Sequence, residues 1–214
     1  MKKIVSTLLL LILLGGFANS QNIRLNLYSA YVFEDRFDSY YDQYNYYDGQ
    51  IQGGYQWGGG LEFMAKPAYG VELLYYREDT HAPTEYYNGK IVYSDLDLGL
   101  NYIMLGGVRY IQKPGGMVEG FGGLMAGMLV ASITNPDTNG NTTPTKFAWG
   151  IRGGANIWAS EKVAIKLQIQ LLSAVQSMGG GLYFGTGGVG AGVSSYSSIY
   201  QFGLGGGLTF ALGK

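Results

Sequence analysis

The chain has no cysteine in 214 residues. That excludes a disulfide scaffold, a thiolate metal site and a cysteine-borne lipid anchor. Charge is also scarce: Asp, Glu, Lys and Arg make up 14% of the chain, against about 25% in an ordinary soluble domain. The formal net charge is −1. Nucleic acid is therefore not expected as a partner, since its phosphates call for a clustered basic surface. Beyond the first twenty residues no apolar run is long enough for a transmembrane helix.

Those first twenty residues are themselves informative. Lys2 and Lys3 precede an apolar run from Ile4 to Leu14, and Ala18-Asn19-Ser20 offers a small-residue cleavage site before Gln21. This is the order of a secretory signal peptide. Its apolar core, about a dozen residues, is too short to cross roughly 30 Å of hydrocarbon as a helix. Residues 1–20 are read as the export signal and 21–214 as one domain.

What the domain has in abundance is glycine, 36 residues in the whole chain, and tyrosine, 19. It also has a period of two. Val163, Ile165, Leu167, Ile169 and Leu171 share one face, with Ala164, Lys166, Gln168 and Gln170 on the other. Such alternation marks a strand with unlike faces. Eight segments of this kind can be laid out, at 22–33, 51–64, 69–78, 95–111, 117–131, 145–158, 162–176 and 199–212. Lys66-Pro67-Ala68, Gln112 to Gly116 and Ser160-Glu161 make short links, where proline and glycine act as turn residues. The links at 34–50, 79–94, 132–144 and 177–198 are long. Short turns at one end and long loops at the other are the signature of a membrane barrel. The expected fold is all-β, an eight-stranded antiparallel up-and-down transmembrane β-barrel with both termini at the short-turn end. Asp48-Gly49, Asn88-Gly89 and Asn139-Gly140 are tight-turn dipeptides, so the long loops are expected to be protruding hairpins.

The polar face decides which way the barrel points. It is built of glycine, alanine and amides with few charges, unlike a water-facing surface. It suits instead the crowded interior of a narrow barrel. Aromatics on the apolar face fall into two bands. Tyr31, Phe33, Tyr55, Trp57, Tyr75, Phe147, Trp149, Tyr200 and Phe202 lie toward the long loops, and Phe63, Tyr69, Tyr110 and Phe210 toward the short turns. Paired bands of this kind border a lipid belt. By the same parity Arg24, Glu62, Glu72, Asp97, Arg109, Glu119, Arg152 and Lys166 face the lumen. Four bases and four acids can satisfy one another there, whereas single charges would be costly. The expectation is an ion-pair layer near the short turns that closes the barrel.

With these features the chain resembles the small outer-membrane barrels of the OmpA/OmpX type. Its last strand, Tyr200-Gln201-Phe202-Gly203-Leu204-Gly205-Gly206-Gly207-Leu208-Thr209-Phe210, resembles the C-terminal signal by which that class is recognised for insertion. The resemblance implies an outer-membrane location, the lipid bilayer and the insertion machinery as partners, and roles from adhesion and envelope stability to small-solute passage.

Sites for chemistry are sparse, and neither catalysis nor a cofactor is expected. Gly185-Thr186-Gly187-Gly188-Val189-Gly190 matches a dinucleotide fingerprint by letter only, with no helix expected after it. His81, the single histidine, lies near Asp79 without a readable triad. Asp137, Asn139 and Asn141 alternate as in a calcium loop, without its closing glutamate. The loop at 34–50 interleaves Tyr40, Tyr41, Tyr44, Tyr46 and Tyr47 with Glu34, Asp35, Asp38, Asp42 and Asp48. Rigid amphipathic tyrosine makes it a candidate contact surface for a partner or glycan; the alternative is a solvated loop resting at the rim. Two readings stand: a non-enzymatic envelope or surface barrel with a filled lumen, and a porin-like barrel that passes small solutes.

Overall fold

The computed structural model describes residues 23–42, 45–87, 91–112, 114–136, 140–175, 181–185, 188–192 and 199–212. The export signal read over 1–20 lies outside them. Among the described residues the regular structure is entirely strand. Eight strands close the barrel: β1 (Ile23–Val32), β4 (Gly54–Lys66), β5 (Tyr69–Tyr87), β6 (Ile91–Gln112), β7 (Val118–Asn135), β9 (Thr145–Trp158), β10 (Val163–Val175) and β13 (Ile199–Ala211). Each corresponds to one segment read from the alternation. Five shorter strands belong to the loops: β2 (Asp35–Asp42), β3 (Asn45–Ile51), β8 (Gly140–Thr142), β11 (Gly181–Gly185) and β12 (Gly188–Gly192).

Closure comes from β1, which pairs antiparallel with both β4 and β13 and so leaves the barrel without a free edge. Paired residues trace a path from Arg24 through Glu62, Glu72, Gly106, Met125, Gly150, Leu172 and Gln201. It returns to β1 opposite position 34, ten residues up the strand. Eight strands with that stagger tilt by about 40° and hold their backbone about 8 Å from the axis. An arginine or tyrosine reaches most of that distance, so inward side chains meet across the middle.

The short turns lie where expected. Gly115 takes a positive φ of 73° between β6 and β7, a conformation that suits glycine. The Ser160 hydroxyl accepts the N–H groups of Lys162 and Val163 at 3.3 and 3.1 Å, tying the turn into β10. At the other end the loops are hairpins. β2 pairs with β3, and β3 then joins β5 at Tyr47–Tyr86, Asp48–Glu85 and Gly49–Thr84. Asp48-Gly49 is thus inside a strand, β3, rather than at a turn. Of the other two turn dipeptides, Asn88-Gly89 falls outside them, and Gly140 opens β8. β5 and β6 pair continuously out to Tyr87–Ile91 and stand well above the other strands. Of the glycine-rich fingerprint, Gly185 ends β11 and Gly188, Val189 and Gly190 lie in β12, which pairs antiparallel with it, while Thr186 and Gly187 lie outside the described residues.

The outer face is an aliphatic belt of residues such as Leu61, Leu73, Leu105, Leu124, Leu167 and Leu204, all exposed. Tyr55 and Phe63 on β4, and Phe202 and Phe210 on β13, border it at eight-residue intervals, about 20 Å along the axis. This exposed apolar belt with aromatic borders matches lipid contact.

Candidate functional site in the lumen

Glycine makes the lumen possible. A Cβ at Gly60 would collide with the Glu72 carboxylate, and one at Gly70 with that of Glu62. Small residues on one strand leave room for long charged ones on the next. Beside the short turns, Arg24 makes a bidentate contact with Glu119 at 2.8 and 3.0 Å, and Asn156 donates to the same carboxylate at 2.9 Å. The Arg24 guanidinium also lies over Tyr110 and Trp158, at 4.6 and 5.1 Å from the ring centroids. Glu62 accepts the Tyr110 hydroxyl at 2.7 Å. The Lys166 ammonium sits 4.2 Å from the Phe121 ring centroid.

One level up, Arg152 pairs with Glu72, each side chain 1% exposed. Glu72 also accepts from Asn26 at 2.8 Å and Tyr28 at 2.5 Å, while Arg152 donates to the Tyr28 oxygen at 2.9 Å. Above this runs a column of amides and hydroxyls. Gln168 donates to Gln170 at 2.9 Å and Gln170 to Gln56 at 2.6 Å. Gln201 donates to Glu78 at 2.9 Å and accepts from Tyr102 at 2.5 Å. Among the described residues the second Glu78 oxygen has no hydrogen-bond partner.

The column ends under an apolar core. Leu96, Leu98, Leu100, Leu129, Ala131, Ile133, Leu172 and Ile199 are buried together at the long-loop end. The lumen is therefore two-layered, charged toward the short turns and apolar toward the loops.

Six of the eight expected lumen charges share this interior: Arg24, Glu62, Glu72, Glu119, Arg152 and Lys166. Asp97 and Arg109 do not. Both are on the outer face of β6, whose inward row is Leu96, Leu98, Leu100, Tyr102, Met104, Val108 and Tyr110. The parity was inverted because the strand leaves the membrane. Above the belt the outside is water and the inside is core, so Asp95 and Asp97 point out and leucine points in. Arg109 lies at the lower border, its guanidinium 5.8 Å from the Tyr69 ring centroid, where a long cation can reach the aqueous boundary. Tyr110, expected in the lower aromatic band, is inside as the Glu62 partner. Glu78 and Lys146 take the places of the two misassigned charges. Each shares its strand parity with a recognised residue, Glu78 with Glu72 and Lys146 with Arg152, so counting by twos would have found both.

His81 is on the outer surface above the belt, paired with Asp97 at 3.0 Å rather than with Asp79, which pairs with Arg77. Asp35 stands at the base of the β2–β3 hairpin and accepts the Tyr200 N–H at 2.8 Å. Burial raises its carboxyl above the usual range, against the pull of the Tyr200 and Arg36 N–H groups. No cluster of three or more metal-ligating side chains occurs among the described residues. Of the calcium-like triplet, Asp137 and Asn139 lie outside them.

No protein-family model matches the chain. No curated protein matches it in sequence. Solved structures do match in fold. Neisserial surface protein A is 11% identical with a TM-score of 0.58, covering 89% of this chain and 97% of that one. Outer membrane protein OprG from Pseudomonas aeruginosa is 12% identical with a TM-score of 0.57, covering 90% and 97%. The outer membrane protease OmpT from Escherichia coli is 9% identical with a TM-score of 0.50, covering 91% and 98%. At these identities the likeness is one of fold, that of outer-membrane β-barrels. The aliphatic belt and its aromatic borders fit that membrane.

Proposed function

We propose that the chain is a non-enzymatic, sealed outer-membrane barrel that acts through the hairpins it presents above the membrane. The observation that carries this reading is the two-layered lumen. Solvated ions or sugars entering from outside would first have to pass a buried aliphatic core, where a desolvated polar group costs several kcal/mol. Below that core stand the Arg24–Glu119 and Arg152–Glu72 pairs, which support a bore closed by side chains. The raised β2–β3 and β5–β6 hairpins support the second half of the proposal, since loops on a rigid barrel are where contact residues collect.

The last strand supports recognition by the insertion machinery as well. It places Tyr200, Phe202, Leu204, Leu208 and Phe210 on the lipid side. Proteoliposomes holding the mature chain are expected to shrink and stay shrunken in hyperosmotic arabinose, as protein-free vesicles do. Rapid reswelling would reverse the reading in favour of a porin-like barrel.

A further inference from the structure

The outer surface carries a cleft of about 530 Å³ above the membrane, within the size range of small-molecule sites. Its origin is a gap in pairing. β5 leaves β4 at Glu78 and meets β3 only at Thr84. Pro83 stands in that gap. It shares its direction with His81, whose carbonyl faces the β3–β4 side and accepts the Gln52 N–H at 2.9 Å. A residue without an N–H is tolerated where the ladder is interrupted. The floor is two cross-strand pairs, Pro83–Asp95 and Glu85–Tyr93. The wall is a third, Arg36–Gln50, from the β2–β3 hairpin.

We propose that this cleft binds a neutral saccharide. Tyr93, 71% exposed, and Pro83 offer flat apolar faces for the C–H side of a pyranose. Asp95 and Glu85 are carboxylates that only accept hydrogen bonds, Arg36 only donates, and Gln50 does both. Hydroxyl groups, which donate and accept at once, complement that set. The single guanidinium, already 3.8 Å from the Glu34 carboxylate, shares the cleft with the carboxylates of Asp95 and Glu85, and that excess of negative charge disfavours a phosphate, sulfate or uronate. The position fits too: Glu85 is ten residues beyond Tyr75 of the upper aromatic band, about 20–25 Å farther from the membrane middle.

The proposal rests on the reading that the barrel works through its surface. The sugar has two sources, a soluble glycan or the headgroup of a lipid in the same leaflet. Saturation-transfer NMR on the refolded mature chain, with maltotriose and lactose as probes, tests the first. Nanodiscs with and without diglucosyl diacylglycerol test the second, read as protection of Tyr93 from iodination. Saturation transfer to either sugar, or glycolipid-dependent protection, is expected in the wild type. Tyr93→Ala should weaken sugar binding about tenfold, and Asp95→Asn should weaken it measurably. Asp97→Asn, outside the cleft, should leave binding unchanged. All variants should keep the heat-modifiable gel shift of the folded barrel. Three results overturn the proposal: no transfer and no protection, transfer that survives Tyr93→Ala, or tighter binding of trilysine, which would make the cleft a basic-peptide site. Binding by a barrel that also leaks arabinose would sink the sealed-lumen reading alone; a sealed barrel that binds no sugar would sink the cleft alone.

Discussion

Replacing Arg152 by methionine isolates the innermost ion pair. Methionine keeps most of the aliphatic volume and removes the charge, so the packing around Tyr28 and Gly106 is little disturbed. What is lost is the partner of a Glu72 carboxylate that is 1% exposed. Breaking a buried pair by removing one member costs about 3–5 kcal/mol, because the remaining charge stays desolvated. Asn26 and Tyr28 still donate to Glu72 at 2.8 and 2.5 Å, so the cost should lie near the lower end, about 3 kcal/mol. Adding Glu72→Gln removes the stranded charge and keeps an acceptor for both donors. The double variant should recover about 2 kcal/mol of the loss. Urea titration of the barrel refolded into lipid vesicles, followed by tryptophan emission and gel mobility, measures both. A loss under about 1 kcal/mol for Arg152→Met would refute the reasoning, since such values belong to exposed pairs. A double variant no more stable than the single one would refute it as well.

Three further outcomes follow from the face assignments, each read by the same titration. Arg109→Ala should change stability by less than about 1 kcal/mol, whereas Tyr110→Phe, which strips a donor from buried Glu62, should cost about 1–3 kcal/mol; the opposite order would put Arg109 in the lumen. Leu167→Arg should cost about 2–4 kcal/mol, the penalty for a cation on the lipid face near mid-bilayer, and a neutral result would move Leu167 out of the belt. Glu78→Gln should be neutral or stabilising, because an amide among amides removes a buried charge that only the Gln56 and Gln201 amides reach among the described residues; a loss above about 2 kcal/mol would mean that Glu78 has a cationic partner.

The strands and their order were legible because lipid imposes a strict period of two on every membrane-spanning segment. Val163–Leu171 shows it residue by residue, and its partner strands carry the same belt. The unequal links were legible for a related reason, since glycine and proline mark turns by backbone chemistry alone. The inversion at β6 has a physical cause. A parity rule that sends apolar residues outward holds only while the outside is lipid, and β6 runs far past the membrane, where Asp95 and Asp97 are solvated and Leu96 and Leu98 form a core. Arg109 misled for the opposite reason: at the aqueous border a charge can face outward at little cost. The cleft was not legible at all. It depends on where β3 rejoins β5, and no periodicity within either strand records that register.

The absence of cysteine makes β6 a clean reporter of the lumen, because every introduced thiol is the only one. The most direct measurement is labelling of single cysteines by a membrane-impermeant maleimide applied to the folded barrel in vesicles, from both sides. Asp95→Cys and Asp97→Cys should label fast, while Leu98→Cys, Leu100→Cys and Met104→Cys should stay unlabelled until the barrel is unfolded. Fast labelling of the inward set, with the outward set protected, would contradict both the facing of β6 and the sealed lumen.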